Sequence, residues 1–145
     1  DTRYKLISNP RPGTDNLIAD SYLDESHPHF VISGATAADQ KTISPQVKQA
    51  LARWSRPPRY ELYDLQQDPY EWNNLAEDAD YAATKARLIN ALTELQQQTR
   101  DPFLDPVNLE AFVKEQLDHR DMKYRKQKNF RWSYLDSFAN WRAEQ

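Results

Sequence analysis

The chain has 145 residues, 39% of them hydrophobic and 12% aromatic, and a mean hydropathy of -0.96; that aromatic content excludes wholesale disorder, while apolar content below the roughly 45–50% of a self-sufficient domain predicts a small core or one completed by a neighbour. A net charge of -3 excludes an overall field that would gather nucleic acid. The absence of cysteine excludes disulfides, thiolate nucleophiles and Cys-ligated zinc.

No run approaches the roughly 18 apolar residues of a membrane span, and no charged-then-apolar leader opens the chain. The first residues are "DTRYKLIS", without Met and inside a predicted strand. We therefore expect a piece of a longer polypeptide.

In chain order, "RYKLIS" (3–8) alternates as a strand, with Tyr4 and Leu6 on one face and Lys5 and Ile7 on the other. "NPRPG" ends it, because neither Pro10 nor Pro12 can donate to a ladder and Gly13 permits a turn. Residues 14–34 hold apolar clusters without a clean period, which predicts an irregular excursion with one short strand at 30–33. "ISPQVKQALARW" (43–54) predicts a helix capped by Ser44, with Pro45 at its first position and Val47, Ala50, Leu51 and Trp54 on one face. "YELYDL" (60–65) is a second strand, with Leu62 on one side and Tyr63 and Leu65 on the other.

The longest predicted helix is 79–98, with Tyr81, Leu88, Ile89, Leu92 and Leu95 on its stripe and Asp78 or Asp80 as cap. Asp105 and Pro106 start another over 107–119, burying Leu109, Phe112, Val113 and Leu117. The chain then turns basic, "HRDMKYRKQKNFR" (119–131), and Phe130, Tyr134, Phe138 and Trp141 follow at helical spacing. The fold class is α+β: a small antiparallel sheet packed by a long helix, with a helical, basic and aromatic-rich extension over 105–145.

Three constellations invite a chemical reading. Asp64, Asp68 and Glu71 could be paired carboxylates or oxygen ligands, but no glycine marks a calcium loop. Turn physics accounts for them instead: Asp68-Pro69 favours a turn, Glu71 and Asn73 satisfy amides at the bend, and Leu75 closes the corner. His27 and His29 in "SHPHF" would point to opposite sides of an extended loop, poor geometry for a metal but compatible with anion contact. Lys123, Arg125, Lys126 and Lys128, interleaved with Tyr124 and Phe130, could bind a polyanion such as a sulfated glycan, although charge runs are usually solvated surface. Walker, G-x-S-x-G, H-E-x-x-H and G-x-G-x-x-G motifs are lacking, and two glycines in the chain make a phosphate-cradling loop improbable.

"RYKLISN", then "RYELYDLQQDPYEWNNLAEDADY", a Leu-rich helix and "LQQQTRDPF" together resemble the C-terminal region of sulfatases over residues 1–104. The nearest subgroup is the heparan N-sulfatases (sulfamidases) and their bacterial relatives. Leu95 stands near where that branch often has Trp. The resemblance implies a subdomain of an alkaline-phosphatase-like enzyme that hydrolyses sulfate esters or sulfamates. It also implies a catalytic domain N-terminal to this chain, carrying a formylglycine made in a C/S-x-P-x-R motif and a calcium ion held by Asp and Asn. The chain has no cysteine, and its one S-x-P-x-R match, Ser55-Arg56-Pro57-Pro58-Arg59, lies inside the C-terminal stretch itself rather than in a preceding catalytic domain, so no catalytic residue is carried over. The family implies a periplasmic, secreted or lysosomal setting and a sulfated glycan as substrate; we expect the stretch 14–34, with His27 and His29, to face it.

Overall fold

A computed structural model describes residues 2–16, 39–120, 122–123 and 126–136. The architecture is α+β: a two-stranded antiparallel sheet accompanied by helices. In order come β1 (Tyr4–Ser8), α1 (Asp39–Thr42), α2 (Pro45–Ser55), β2 (Tyr60–Asp64), a 3-10 turn (Ala79–Tyr81), α3 (Ala82–Gln98), a second 3-10 turn (Pro102–Leu104) and α4 (Pro106–Asp118). The chain divides into two compact units, Asp1–Leu88 and Ile89–Gln145. The predicted strand at 30–33 and the aromatic positions Phe138 and Trp141 lie outside the described residues.

In the first unit the strands pair in the register Tyr4↔Asp64, Leu6↔Leu62 and Ser8↔Tyr60 on one face, with Lys5↔Tyr63 and Ile7↔Glu61 on the other. The period of two in both strands makes this sorting unavoidable once the register is set. Leu62, Tyr63, Asp64 and Ala76 are the fully buried side chains among the described residues, so the core sits on β2 and on the corner behind it. At the end of β1, Gly13 takes φ 68, a conformation that an L side chain resists. Its N–H donates to the Pro57 carbonyl at 2.8 Å, and its own carbonyl accepts from Arg56 Nε at 2.6 Å.

Helix α2 begins as its sequence requires. Ser44 Oγ accepts from the Val47 amide at 3.3 Å, and Pro45 occupies a position whose N–H would be unpaired anyway. Pro57 and Pro58 prevent continuation beyond Arg56. The long helix starts differently from expectation: residues 79–81 form a 3-10 turn before α3 proper. Of the two candidate caps it is Asp78 that acts, its Oδ1 accepting from the Asp80 amide at 3.0 Å. Tyr81 meets Tyr4 edge-on, ring centroids 6.2 Å apart, and so carries the helix start onto β1. On the predicted stripe Leu88, Ile89 and Leu92 are half-buried, whereas Leu95 is exposed.

In the second unit α3 ends in a Schellman motif: the Asp101 amide donates to the Gln96 carbonyl at 2.8 Å and the Arg100 amide to Gln97 at 3.1 Å. Arg100 holds the left-handed position at φ 50, where glycine is usual. Asp101 then caps the following turn by accepting from the Phe103 amide at 2.9 Å. Asp105 caps α4 in the same way through the Val107 amide, also at 2.9 Å.

Candidate functional site

The corner after β2 is built from its own polar side chains. Asn74 Oδ1 accepts from the Leu62 amide (2.9 Å) and the Ala76 amide (3.0 Å), and Asn74 Nδ2 donates to the Tyr60 carbonyl (3.3 Å). The Leu75 amide donates to the Leu62 carbonyl at 2.8 Å, which lays the corner along β2. Asp68 Oδ2 accepts from the Asn73 amide at 2.7 Å. Amide satisfaction thus falls to Asn74 and Asp68 rather than to Glu71 and Asn73. Glu71 instead adopts φ 59 and reaches across to Lys5 Nζ at 2.8 Å.

Each carboxylate considered for chemistry therefore has a structural partner. Asp64, 2% exposed, is gripped by Arg3 through Nε (3.1 and 3.2 Å) and Nη2 (2.6 Å). The Arg3 guanidinium, helped by the Gln66 and Gln67 amides, outweighs burial and holds this carboxyl below the usual carboxylate range. No group of three His, Cys, Asp or Glu that could hold a metal occurs among the described residues.

On the other face of the ladder lies a cleft of about 450 Å3, lined by Ile7, Asn9, Arg53, Trp54, Glu61 and Tyr63 among others. Its floor is a linked polar set. Arg53 Nε lies 3.3 Å from Glu61 Oε2, and the Tyr63 hydroxyl donates to the same oxygen at 2.5 Å. Asn9 Nδ2 donates to Glu61 Oε1 at 3.1 Å. Arg53 Nη2 also donates to the carbonyls of Glu71 and Trp72, both at 3.2 Å, fastening α2 to the corner. Burial, then the bond to the Glu61 carboxylate, pushes the Tyr63 hydroxyl well above its ordinary value. Sequence reasoning passed over this set, although two signals were readable. Glu61 and Tyr63 are two apart on one strand face, and Arg53 sits beside Trp54 at the end of an amphipathic helix.

In the second unit the half-buried side of α4 joins an aromatic cluster, while Leu117, expected on that side, is exposed. Phe112 meets Phe103 (centroids 5.3 Å) and Tyr134 (4.9 Å), and His119 meets Phe130 (5.4 Å) and Trp132 (5.7 Å). Glu115 ties the returning chain to this helix by accepting from the amides of Ser133 (2.6 Å) and Tyr134 (3.0 Å). Burial pushes the Glu115 carboxyl up, but the Ser133 and Tyr134 donors and nearby His119 prevail and hold it below its ordinary value. Beyond α4, Lys123, Lys126 and Lys128 are exposed. Arg125, His27 and His29 lie outside the described residues.

No family model, curated protein or solved structure matches the chain. Among the described residues no helix is long and apolar enough to cross a membrane.

Proposed function

We propose that the chain is the C-terminal subdomain of a sulfatase close to the heparan N-sulfatases. In this role it buttresses a catalytic domain and shapes the entrance to its cleft, while the parent enzyme hydrolyses sulfate esters or sulfamates. One observation carries the proposal. In the stretch that resembles sulfatases, Glu61, Asp64, Asp68, Glu71 and Asn74 are all committed to holding strand, corner and α2 together. A motif of this kind is architectural, as a subdomain serving another domain's chemistry requires. The small number of fully buried side chains among the described residues also suits a core that a neighbouring domain extends. The implied calcium and formylglycine do not fit residues of this chain. It has no cysteine, and its one S-x-P-x-R match (Ser55-Arg56-Pro57-Pro58-Arg59) is the link from the end of α2 to β2, with Arg59 bound to the Asn9 and Pro10 carbonyls. The carboxylates of its corner are already engaged. The test is the coding sequence upstream of Asp1. A C/S-x-P-x-R motif within the same reading frame supports the proposal, and an open reading frame without one overturns it.

A second reading is a polyanion-binding module acting without catalysis through Lys123, Arg125, Lys126 and Lys128, with a sulfated glycan as partner. It is favoured by the exposure of Lys123, Lys126 and Lys128. No carboxylate pairs with those three among the described residues.

A further inference from the structure

The two edges of the sheet differ in how their backbone groups are used. Bonds at the ends of the ladder, from the Leu65 amide to the Arg3 carbonyl (2.8 Å) and from the Asn9 amide to the Arg59 carbonyl (2.9 Å), fix its alternation. Lys5 and Ile7 therefore turn their N–H and C=O groups toward β2, while Tyr4, Leu6 and Ser8 turn theirs away. On the far side of β2 the outward groups are taken. The Leu62 amide and the Tyr60 carbonyl meet Asn74, and the Leu62 and Asp64 carbonyls accept from the amides of Leu75 and Asp68. On β1 the outward amides and carbonyls of Tyr4, Leu6 and Ser8 have no partner among the described residues.

An edge left open usually carries a device that repels a pairing strand: a proline, a bulge or an outward lysine. β1 has none of these. Its register runs unbroken from Tyr4 to Ser8, no proline lies within it, and its lysine is folded back on Glu71. A sheet of two strands is also marginal by itself, and Leu6, paired with the fully buried Leu62, is only half-buried.

We propose that β1 pairs along this edge with β1 of a second copy of the chain, antiparallel about Leu6, to make a four-stranded sheet. Tyr4 then lies opposite the partner's Ser8 and Leu6 opposite the partner's Leu6, and each pair exchanges both backbone bonds. A second copy is favoured because this register is self-complementary. Lys5 falls opposite the partner's Ile7, so the two ammonium groups stay apart. Sliding to the next equivalent register in one direction sets Lys5 against the partner's Lys5, a like-charge pair. Sliding in the other brings the partner's Pro10, which has no N–H, opposite Tyr4. The paired Leu6 side chains share the core face, which extends each small core across a two-fold axis. One strand edge of five residues is a small interface, which predicts a dimer that comes apart on dilution. This pairing involves the first unit alone and does not depend on the sulfatase reading.

Sedimentation of the full-length protein over a range of concentrations, with residue-resolved hydrogen exchange on the same samples, tests it. The protein should pass from monomer to dimer as concentration rises. In step with that change the Tyr4, Leu6 and Ser8 amides should exchange roughly tenfold more slowly, while β2 keeps those of Lys5 and Ile7 protected throughout. Ser8→Pro removes an outward N–H and no bond to β2. It should weaken association roughly tenfold or more, with the Lys5 and Ile7 amides still protected. Should that variant fail to fold, exchange in the parent protein decides. A protein that stays monomeric, or a folded Ser8→Pro that dimerises as tightly as the parent, overturns the proposal. So does exchange at Tyr4, Leu6 and Ser8 that ignores concentration: if rapid, the dimer contact lies elsewhere, and if slow, the edge is filled within one chain.

Discussion

Arg3 and Asp64, 61 positions apart, form a two-nitrogen ion pair that locks the entry of β1 to the exit of β2. The pair lies beside the Tyr4↔Asp64 register position, and the aspartate is almost wholly out of water. Removing one partner leaves a buried charge uncompensated, which is more damaging than never having built the pair.

The pH dependence of that pair has a definite sign. The folded-state pKa of Asp64 lies below its unfolded value near ~3.9. The fold therefore gains stability that is complete above roughly pH 5 and is lost as pH falls through 4 and below. Thermal melting followed by circular dichroism should show this acid limb, and Asp64→Asn should lower stability at pH 7 while flattening the limb. An equally steep limb in Asp64→Asn would show that another carboxylate, Glu115 being the first to examine, governs it.

Alkali acts through Tyr63 in the opposite sense. Its folded pKa is raised, so its contribution is complete below the unfolded value of ~10 and fades as pH climbs above it. Tyr63→Phe should reduce the loss of stability between about pH 10 and pH 11 in melts compared with the parent chain. An unchanged alkaline slope would contradict the buried bond to Glu61.

Asn74 and Asn73 are adjacent, yet they should behave differently. Asn74→Ala deprives the Leu62 and Ala76 amides of their acceptor and should destabilise by about 1–3 kcal/mol, the penalty of an unsatisfied buried polar group. Asn73→Ala, whose side chain is exposed, should stay within about 0.5 kcal/mol of the parent. Urea unfolding curves separate the two, and equal losses would mean the corner has been misassigned.

Arg100 occupies a conformation suited to glycine. Arg100→Gly keeps both Schellman bonds and removes the steric penalty of a left-handed side chain, about 1 kcal/mol. A rise in the urea midpoint is expected. A fall would indicate that the arginine side chain contributes more than its backbone strain costs.

The basic segment is tested on immobilised heparin with the full-length protein. If it docks polyanions, elution should require salt, and joint replacement of Lys123, Arg125, Lys126 and Lys128 by Ala should move elution to markedly lower salt. Retention that is absent, or unaffected by salt or by the substitutions, removes this reading.

Local signals in the sequence were sufficient for both strands and for α2, α3 and α4, but not for α1 or the 3-10 turns. Ser44, Asp78 and Asp105 announce helix starts because a short side-chain acceptor has one obvious use before an apolar-periodic run. Alternation in 3–8 and 60–65 predicts both strands, observed as Tyr4–Ser8 and Tyr60–Asp64, and the faces on which Tyr4, Leu6 and Lys5 lie. The cleft was not legible for a physical reason. Arg53, Asn9 and Glu61 are brought together only by strand register and by α2 folding back, and neither leaves a pattern within a short window. Asn74 was missed because either asparagine of the pair could serve as the acceptor, and only the direction of the turn decides between them. The 3-10 start of α3 was hidden for a similar reason, since a cap fixes where a helix begins but not how tightly its first turn winds.

Sulfate release by the full-length protein tests the central claim most directly. The account predicts that protein carrying the upstream motif liberates sulfate from N-sulfated glucosamine or from a sulfate ester. It also predicts that replacing the Cys or Ser of that motif abolishes release without unfolding the corner built on Asp64, Asp68 and Asn74. A well-folded full-length protein that releases no sulfate from either substrate would contradict it.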